Sequence, residues 1–132
     1  TASITSLRNK GWMVRWMQQQ PAMLDVTKPT FAKTSMADAQ PELQKLSKNI
    51  IWLNLSGNNL TDKDLPFLTQ LSNLEKLRLE KNPLTDAVCE QLNSLQHLQA
   101  VNLNETNISE KGLAELKKNT TLKRIYNWKG GK

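Results

Sequence analysis

The sequence predicts an α/β fold: a short right-handed solenoid with a parallel concave sheet, short convex helices and an N-terminal cap. Two observations lead to this prediction. An eleven-residue pattern occurs three times at intervals of 24 residues, as IIWLNLSGNNL at 50–60, LEKLRLEKNPL at 74–84 and LQAVNLNETNI at 98–108. Each copy is followed by a segment with regularly spaced apolar residues, as in a short helix that covers one side of a sheet.

The central part of each copy predicts a strand. Apolar residues alternate there with other residues, so the apolar side chains face the core and the others face the concave surface. The regular interval places the central apolar residues side by side in one buried column. Its expected members are Leu24, Leu53, Leu77, Val101 and Ile125.

The segment after each strand predicts a short return helix. Thr61, Thr85 and Ser109 stand at its start, each followed by an acidic residue, so we expect them to cap the helices. Cys89 occupies a column that is otherwise made of leucine. We therefore expect Cys89 to be a small buried side chain and not a reactive thiol.

A polar position recurs after each strand, at Asn58, Asn82 and Thr106. A buried amide at this position can hydrogen-bond the backbone of neighbouring turns. We interpret the column as structural and not as ligand-binding.

The pattern weakens at both ends of the array. The predicted units are a degenerate first repeat at 21–49, full repeats at 50–73, 74–97 and 98–121, and a truncated last repeat at 122–132. In the first repeat, Leu24 and Val26 are expected to face inward, with Pro29 at the Asn position and Phe31 at the last apolar position. A helix is expected around 41–46.

Residues 1–20 have no place in the repeat and predict an N-terminal cap, because the first unit of an array would otherwise expose its core. We expect a helix at about 2–9 and a strand at 12–18. Trp12, Val14 and Trp16 alternate with other residues along that strand and are expected to face the core.

The pattern resembles the leucine-rich repeat family, and the segments LTDKDL, LTDAVC and ISEKGL are similar to those of its bacterial, 24-residue type. The order ITSLRNKGWMVRWM, then LDV, then the repeats also resembles the C-terminal repeat region of bacterial envelope proteins with a c-type cytochrome-like domain. That resemblance implies a periplasmic location and an upstream redox domain in a larger bacterial protein. The sequence contains no C-x-x-C-H, so we expect no haem and no other cofactor here.

Composition and charge argue against several classes of function. The chain has 132 residues, as expected for one domain, and a formal net charge of +6. No nucleic-acid motif accompanies this charge and no apolar run could span a membrane, so we expect neither nucleic-acid binding nor membrane insertion. The single histidine, His97, lies far from Cys89 in the repeat frame, which predicts no metal site and no catalytic pair. We expect that the protein is not an enzyme.

The concave face is the candidate binding surface, because its amides, cations and aromatic rings suit a protein or a glycan. The candidate ligand-binding residues are Trp52, Lys76, Arg78, Asn102, Asn104, Arg124, Tyr126 and Trp128. The sequence thus predicts a non-catalytic recognition module of a larger protein. The alternative is a structural spacer or assembly domain without its own ligand.

The last strand leaves an unpaired sheet edge near the C-terminus. Lys123, Arg124 and Lys129 are charges of the kind that discourage pairing between edges. The isolated domain is therefore expected to be a monomer.

Overall fold

The computed structural model describes residues 1–129, which form one six-stranded sheet, four α-helices and two short 3-10 helices. The elements in chain order are α1 (Ala2–Asn9), β1 (Met13–Gln19), β2 (Ala22–Thr27), α2 (Met36–Lys45), β3 (Ile50–Asn54), the 3-10 helices Asp62–Asp64 and Pro66–Gln70, β4 (Lys76–Arg78), α3 (Ala87–Asn93), β5 (Ala100–Asn102), α4 (Glu110–Leu116) and β6 (Arg124–Tyr126). Strands lie in the sheet in chain order; β1 and β2 are antiparallel, and the later pairs are parallel. The mixed α/β class and the mostly parallel sheet agree with the prediction. Residues 130–132 of the predicted last repeat lie outside the described residues.

The repeat interval sets the register of β3 to β6. Leu53, Leu77, Val101 and Ile125 are partners in neighbouring strands. The first three are buried, while Ile125 is half-buried because β6 has a neighbouring strand on one side only. The register of the column is thus confirmed for these four residues, and its burial for Leu53, Leu77 and Val101.

β2 lies two positions away from the predicted register. Val26, and not Leu24, pairs with Leu53, and a shift after Leu24 places Asp25 beside Trp52. The first unit is longer than the later repeats, so the interval that holds for β3 to β6 does not extend back to β2. Placing Leu24 in that column was wrong, although Leu24 and Val26 are both buried as expected.

The turn after each repeat strand passes through the left-handed region of the backbone. Gly57, Lys81 and Glu105 occupy the same repeat position and have φ values of 64°, 61° and 56°. Only glycine adopts this conformation without a penalty, which is about 1–2 kcal/mol for other residues. Because the backbone bends here, the two-residue alternation of the strand does not continue into the loop.

Helix α2 and the segment after β3 differ from the predictions. α2 begins at Met36 and not near residue 41, because Ser35 caps it by accepting a hydrogen bond from the Asp38 N–H at 3.1 Å. The segment after β3 forms only 3-10 helices. Pro66 accounts for this, since proline lacks an N–H group and disfavours the interior of an α-helix.

Two of the three predicted caps are in place. Thr61 caps the first 3-10 helix, and Ser109 caps α4. The third prediction was wrong, because α3 begins one residue later than expected, with Asp86 and not Thr85 at its N-cap. The Asp86 carboxylate instead accepts a hydrogen bond from the Ser109 N–H at 2.8 Å and so ties α3 to the next return segment.

The N-terminal helix and strand occur close to their expected places, but two aromatic side chains do not join the core. Trp12 and Val14 are buried, whereas Trp16 is 39% exposed. Trp16 lies on the edge strand next to a register shift, so it has few neighbours. Phe31, predicted to be apolar core, is 74% exposed, and Ala32 is buried beside it.

The Asn column is structural, as predicted. The Asn82 side chain is 1% exposed; its oxygen accepts from the N–H groups of Asn58 and Leu60 at 3.0 and 2.9 Å. Its amide N–H groups donate to the carbonyl oxygens of Leu55 and Leu79, both at 3.0 Å. One side chain thus satisfies polar groups from two adjacent repeats.

Lysine ammonium groups extend this column at both ends. Lys28 Nζ donates to Asn58 Oδ1 at 2.8 Å, so Lys28 and not Pro29 takes the place expected in the first repeat. Burial lowers the pKa of Lys28. Lys129 Nζ donates to the Thr106 carbonyl at 3.0 Å, a contact that was not predicted from the sequence.

Candidate functional site

Sheet side chains that point away from the core form two rows. Residues along a strand alternate between the two faces, and the buried column around Leu77 marks the core side. We call the other side the open face. Its first row contains Arg15, Asp25, Trp52, Lys76, Ala100 and Arg124, and its second row contains Met13, Thr27, Asn54, Arg78, Asn102 and Tyr126.

A groove of about 380 Å³ crosses the open face. Most of the predicted binding residues line it, namely Trp52, Lys76, Arg78, Asn102, Arg124 and Tyr126. Asp25, Thr27 and Asn54 also line it, although they were not among the predicted binding residues. The fold therefore brings side chains from five strands to one cavity.

Two predicted residues lie outside the groove lining. Asn104 and Trp128 follow the ends of β5 and β6, and the Trp128 backbone N–H donates to Asn104 Oδ1 at 2.7 Å. The Trp128 side chain is 62% exposed. These two residues contact each other at the rim and not within the cavity.

Ala100 creates open space in the middle of the groove. Its side chain ends at Cβ, whereas its row neighbours Lys76 and Arg124 carry long side chains. Strands in a sheet lie about 4.8 Å apart, so the backbones of these two neighbours are separated by roughly 10 Å. The two cationic side chains therefore flank an unfilled position.

Arg78 is part of an ion pair that was not predicted from the sequence. Glu80 is 6% exposed, and its Oε2 accepts from Arg78 Nε at 3.1 Å and Nη2 at 2.5 Å, and from Asn102 Nδ2 at 3.3 Å. The hydrogen bond to Glu80 raises the pKa of Arg78. Because Glu80 holds one side of the guanidinium, Arg78 supports the fold as well as lining the groove.

Lys76 has a different environment. Its Nζ lies 4.4 Å from the centroid of the Trp52 ring, in the geometry of a cation–π contact. Such a contact orients the ammonium group without neutralising its charge. Lys76 thus presents a positioned positive charge to the groove.

The charges of the open face are unevenly balanced. Arg15 forms a 2.7 Å ion pair with Asp25, and Arg78 is paired with Glu80. Within residues 1–129, no carboxylate lies within salt-bridge distance of Lys76 or Arg124. The middle of the groove therefore carries an excess of positive charge.

The single thiol and the single imidazole lie apart from this groove. Cys89 is 2% exposed, and burial raises its pKa to about 11. His97 Nδ1 lies 2.9 Å from the Ser72 carbonyl oxygen on the exposed surface. In the described part of the chain, no group of three or more His, Cys, Asp or Glu residues could hold a metal ion. No helix there is long and apolar enough to cross a membrane.

Comparison with known proteins gives matches to the repeat and to the fold. Residues 49–71 match the Leucine Rich Repeat family model. The tropomodulin C-terminal domain of Caenorhabditis elegans is similar in structure, with a TM-score of 0.66 and 17% identity over 96% of this chain and 80% of that chain. Leiomodin-1 actin-binding site 2 has a TM-score of 0.54 and 18% identity over 70% of this chain and 61% of that chain. No curated protein sequence matches the chain.

Proposed function

We propose, from the premise that the chain is of the leucine-rich repeat family, that it is a non-catalytic module that recognises another protein through its open face. The observation that carries the proposal is the groove of about 380 Å³ lined by Trp52, Lys76, Arg124 and Tyr126. Aromatic and arginine side chains provide much of the binding energy at protein interfaces. The groove combines both types on a rigid sheet.

The shape and chemistry of the groove suit an extended peptide segment. Its volume falls within the range of small ligand sites, and Asn54 and Asn102 add amides that can bond a peptide backbone. The leiomodin-1 structure is of an actin-binding site, which supports a protein as the class of partner. Identity is too low for the partner itself to carry over.

The finer architecture belongs to the same proposal. Residues 1–20 serve as an N-terminal cap and 21–132 as a short leucine-rich-repeat horseshoe, with the open face on its concave side. The module is a monomer, in keeping with the charges at its C-terminal sheet edge, and part of a larger bacterial protein outside the cytoplasm, as the sequence resemblance implies. The parallel β2–β6 sheet and the buried Asn82 column support the repeat architecture.

Selection from a random peptide display library tests the function. We expect selected peptides to bind the wild-type chain and to lose at least about fivefold in affinity for Tyr126→Ala, as for a hot-spot residue. Lys117→Ala and Glu90→Ala are the controls, because both side chains are exposed on return segments and neither lines the groove. Both should bind normally.

Two results would overturn the proposal. One is binding that is lost in the control variants and retained in Tyr126→Ala. The other is the absence of any peptide or protein that binds the chain. Binding to a glycan array would then indicate a glycan-binding module, and no binding at all would indicate a structural spacer.

A further inference from the structure

We infer that the space above Ala100 is a subsite for a carboxylate, so the partner's bound segment is acidic, with an Asp or Glu side chain between Lys76 and Arg124. This inference rests on the proposed function, because it names the chemistry of the segment that the open face binds. It concerns one position of the groove and not the groove as a whole.

The charge balance of the open face favours a carboxylate at this position. Four cations lie on the open face, and two of them already have a carboxylate: Arg15 is paired with Asp25, and Arg78 with Glu80. The other two, Lys76 and Arg124, have no such partner within residues 1–129. They are also the two that flank Ala100 in the same row.

The gap above Ala100 gives a ligand access to both cations. A larger residue at position 100 would fill the gap between the two cations, but alanine leaves it open to the groove. A carboxylate that enters there can accept hydrogen bonds from both the ammonium and the guanidinium group. Charge-assisted bonds of this kind are about twice as strong as neutral ones.

The position of Lys76 is partly set before a ligand binds. The contact with the Trp52 ring limits the motion of the exposed Lys76 side chain before any ligand arrives, which reduces the entropy lost on binding. Tyr126 borders the same region and is 47% exposed. An acidic side chain followed by an apolar or aromatic one would therefore meet a cation pair and an aromatic wall.

An intramolecular test needs no partner. Ala100→Glu places a carboxylate in the gap, and Ala100→Gln is the matched control of equal size. We expect the Glu variant to have a higher melting temperature than the Gln variant at pH 7, and the difference to disappear in 1 M salt, where the Debye length is about 3 Å. Adding Lys76→Ala and Arg124→Ala to both variants should also remove it. Equal melting temperatures for the single variants would overturn the subsite.

A peptide test uses an acidic probe. Alternate residues of an extended peptide face the same side, so a labelled peptide of alternating Glu and Ser presents carboxylates to the groove, and one of alternating Gln and Ser is the control. We expect at least tenfold tighter binding of the Glu peptide, and a loss of at least about fivefold on Lys76→Ala or Arg124→Ala but not on Lys117→Ala. Ala100→Glu should abolish the preference for the Glu peptide.

The outcomes separate the two proposals. If display-selected peptides bind the open face but exchanging their Asp and Glu for amides leaves affinity unchanged, the carboxylate subsite is wrong and the recognition function stands. If only phosphoserine peptides bind, the subsite takes phosphate and the carboxylate assignment fails. If no peptide responds to any change on the open face, both fail.

Discussion

Arg78→Ala tests whether Arg78 stabilises the fold in addition to lining the groove. Its guanidinium group has both positions, because it faces the groove and also pairs with a buried carboxylate. The substitution leaves Glu80, whose side chain is 8% exposed, without its ion-pair partner. Breaking a fully buried pair costs about 3–5 kcal/mol. The Arg78 side chain is 57% exposed, so solvent screens the pair and we expect a loss of about 1–2 kcal/mol in the free energy of unfolding.

The assay is a double-mutant cycle in urea at pH 7. The free energies of unfolding of Arg78→Ala, Glu80→Gln and the double variant are compared. The double variant should lose less stability than the two single variants lose together, because it contains no uncompensated buried charge. Arg124→Ala is the matched control, since Arg124 lies in the same groove and has no carboxylate partner within residues 1–129. This variant should lose less than about 0.5 kcal/mol. Equal losses for Arg78→Ala and Arg124→Ala, or strict additivity in the cycle, would refute the reasoning.

Three further predictions concern the core and the return segments. Leu77→Ala should cost about 2–5 kcal/mol in urea unfolding, because Leu77 is 1% exposed in the middle of the buried column; a loss below about 1 kcal/mol would contradict that packing. Cys89, whose pKa is raised to about 11, should react slowly with a thiol reagent at pH 8 in the folded chain and rapidly in urea, and rapid labelling of the folded chain would contradict its burial. The hydrogen bonds from Ser109 lower the pKa of Asp86. They therefore stabilise the fold at pH values above 3.8, the usual pKa of this group, and the contribution is lost as the pH falls through the lowered pKa. The stability difference between wild type and Asp86→Asn should therefore shrink on acidification, and a difference independent of pH would contradict the link.

The sequence predicted the register of β3 to β6 because successive repeats have the same length. A fixed interval makes Leu77 and Val101 neighbours whatever the loops do. The interval fails at β2, where the first unit is longer and a register shift follows Leu24. The neighbours of the open-face residues were therefore predictable within the repeats but not at β2, where Asp25 lies beside Trp52.

The buried Glu80 could not be predicted from alternation. Alternation along the strand places Glu80 on the same side as Arg78, exposed to the groove. β4 ends at Arg78, and the chain turns at Lys81 with φ of 61°, so Glu80 instead lies beneath the guanidinium. The local signal that could have indicated the pair is the position of Glu80. It lies two residues after Arg78 and directly before the left-handed turn at Lys81.

Mapping of backbone amide chemical shifts tests the central claim most directly. The isotopically labelled chain is titrated with a peptide selected by display, and the amide signals of each element are followed. Recognition through the open face predicts that the largest shifts occur in β3 to β6, at 52–54, 76–78, 100–102 and 124–126, with little change in α3 and α4. Shifts concentrated in α3 and α4, with those strands unchanged, would contradict it.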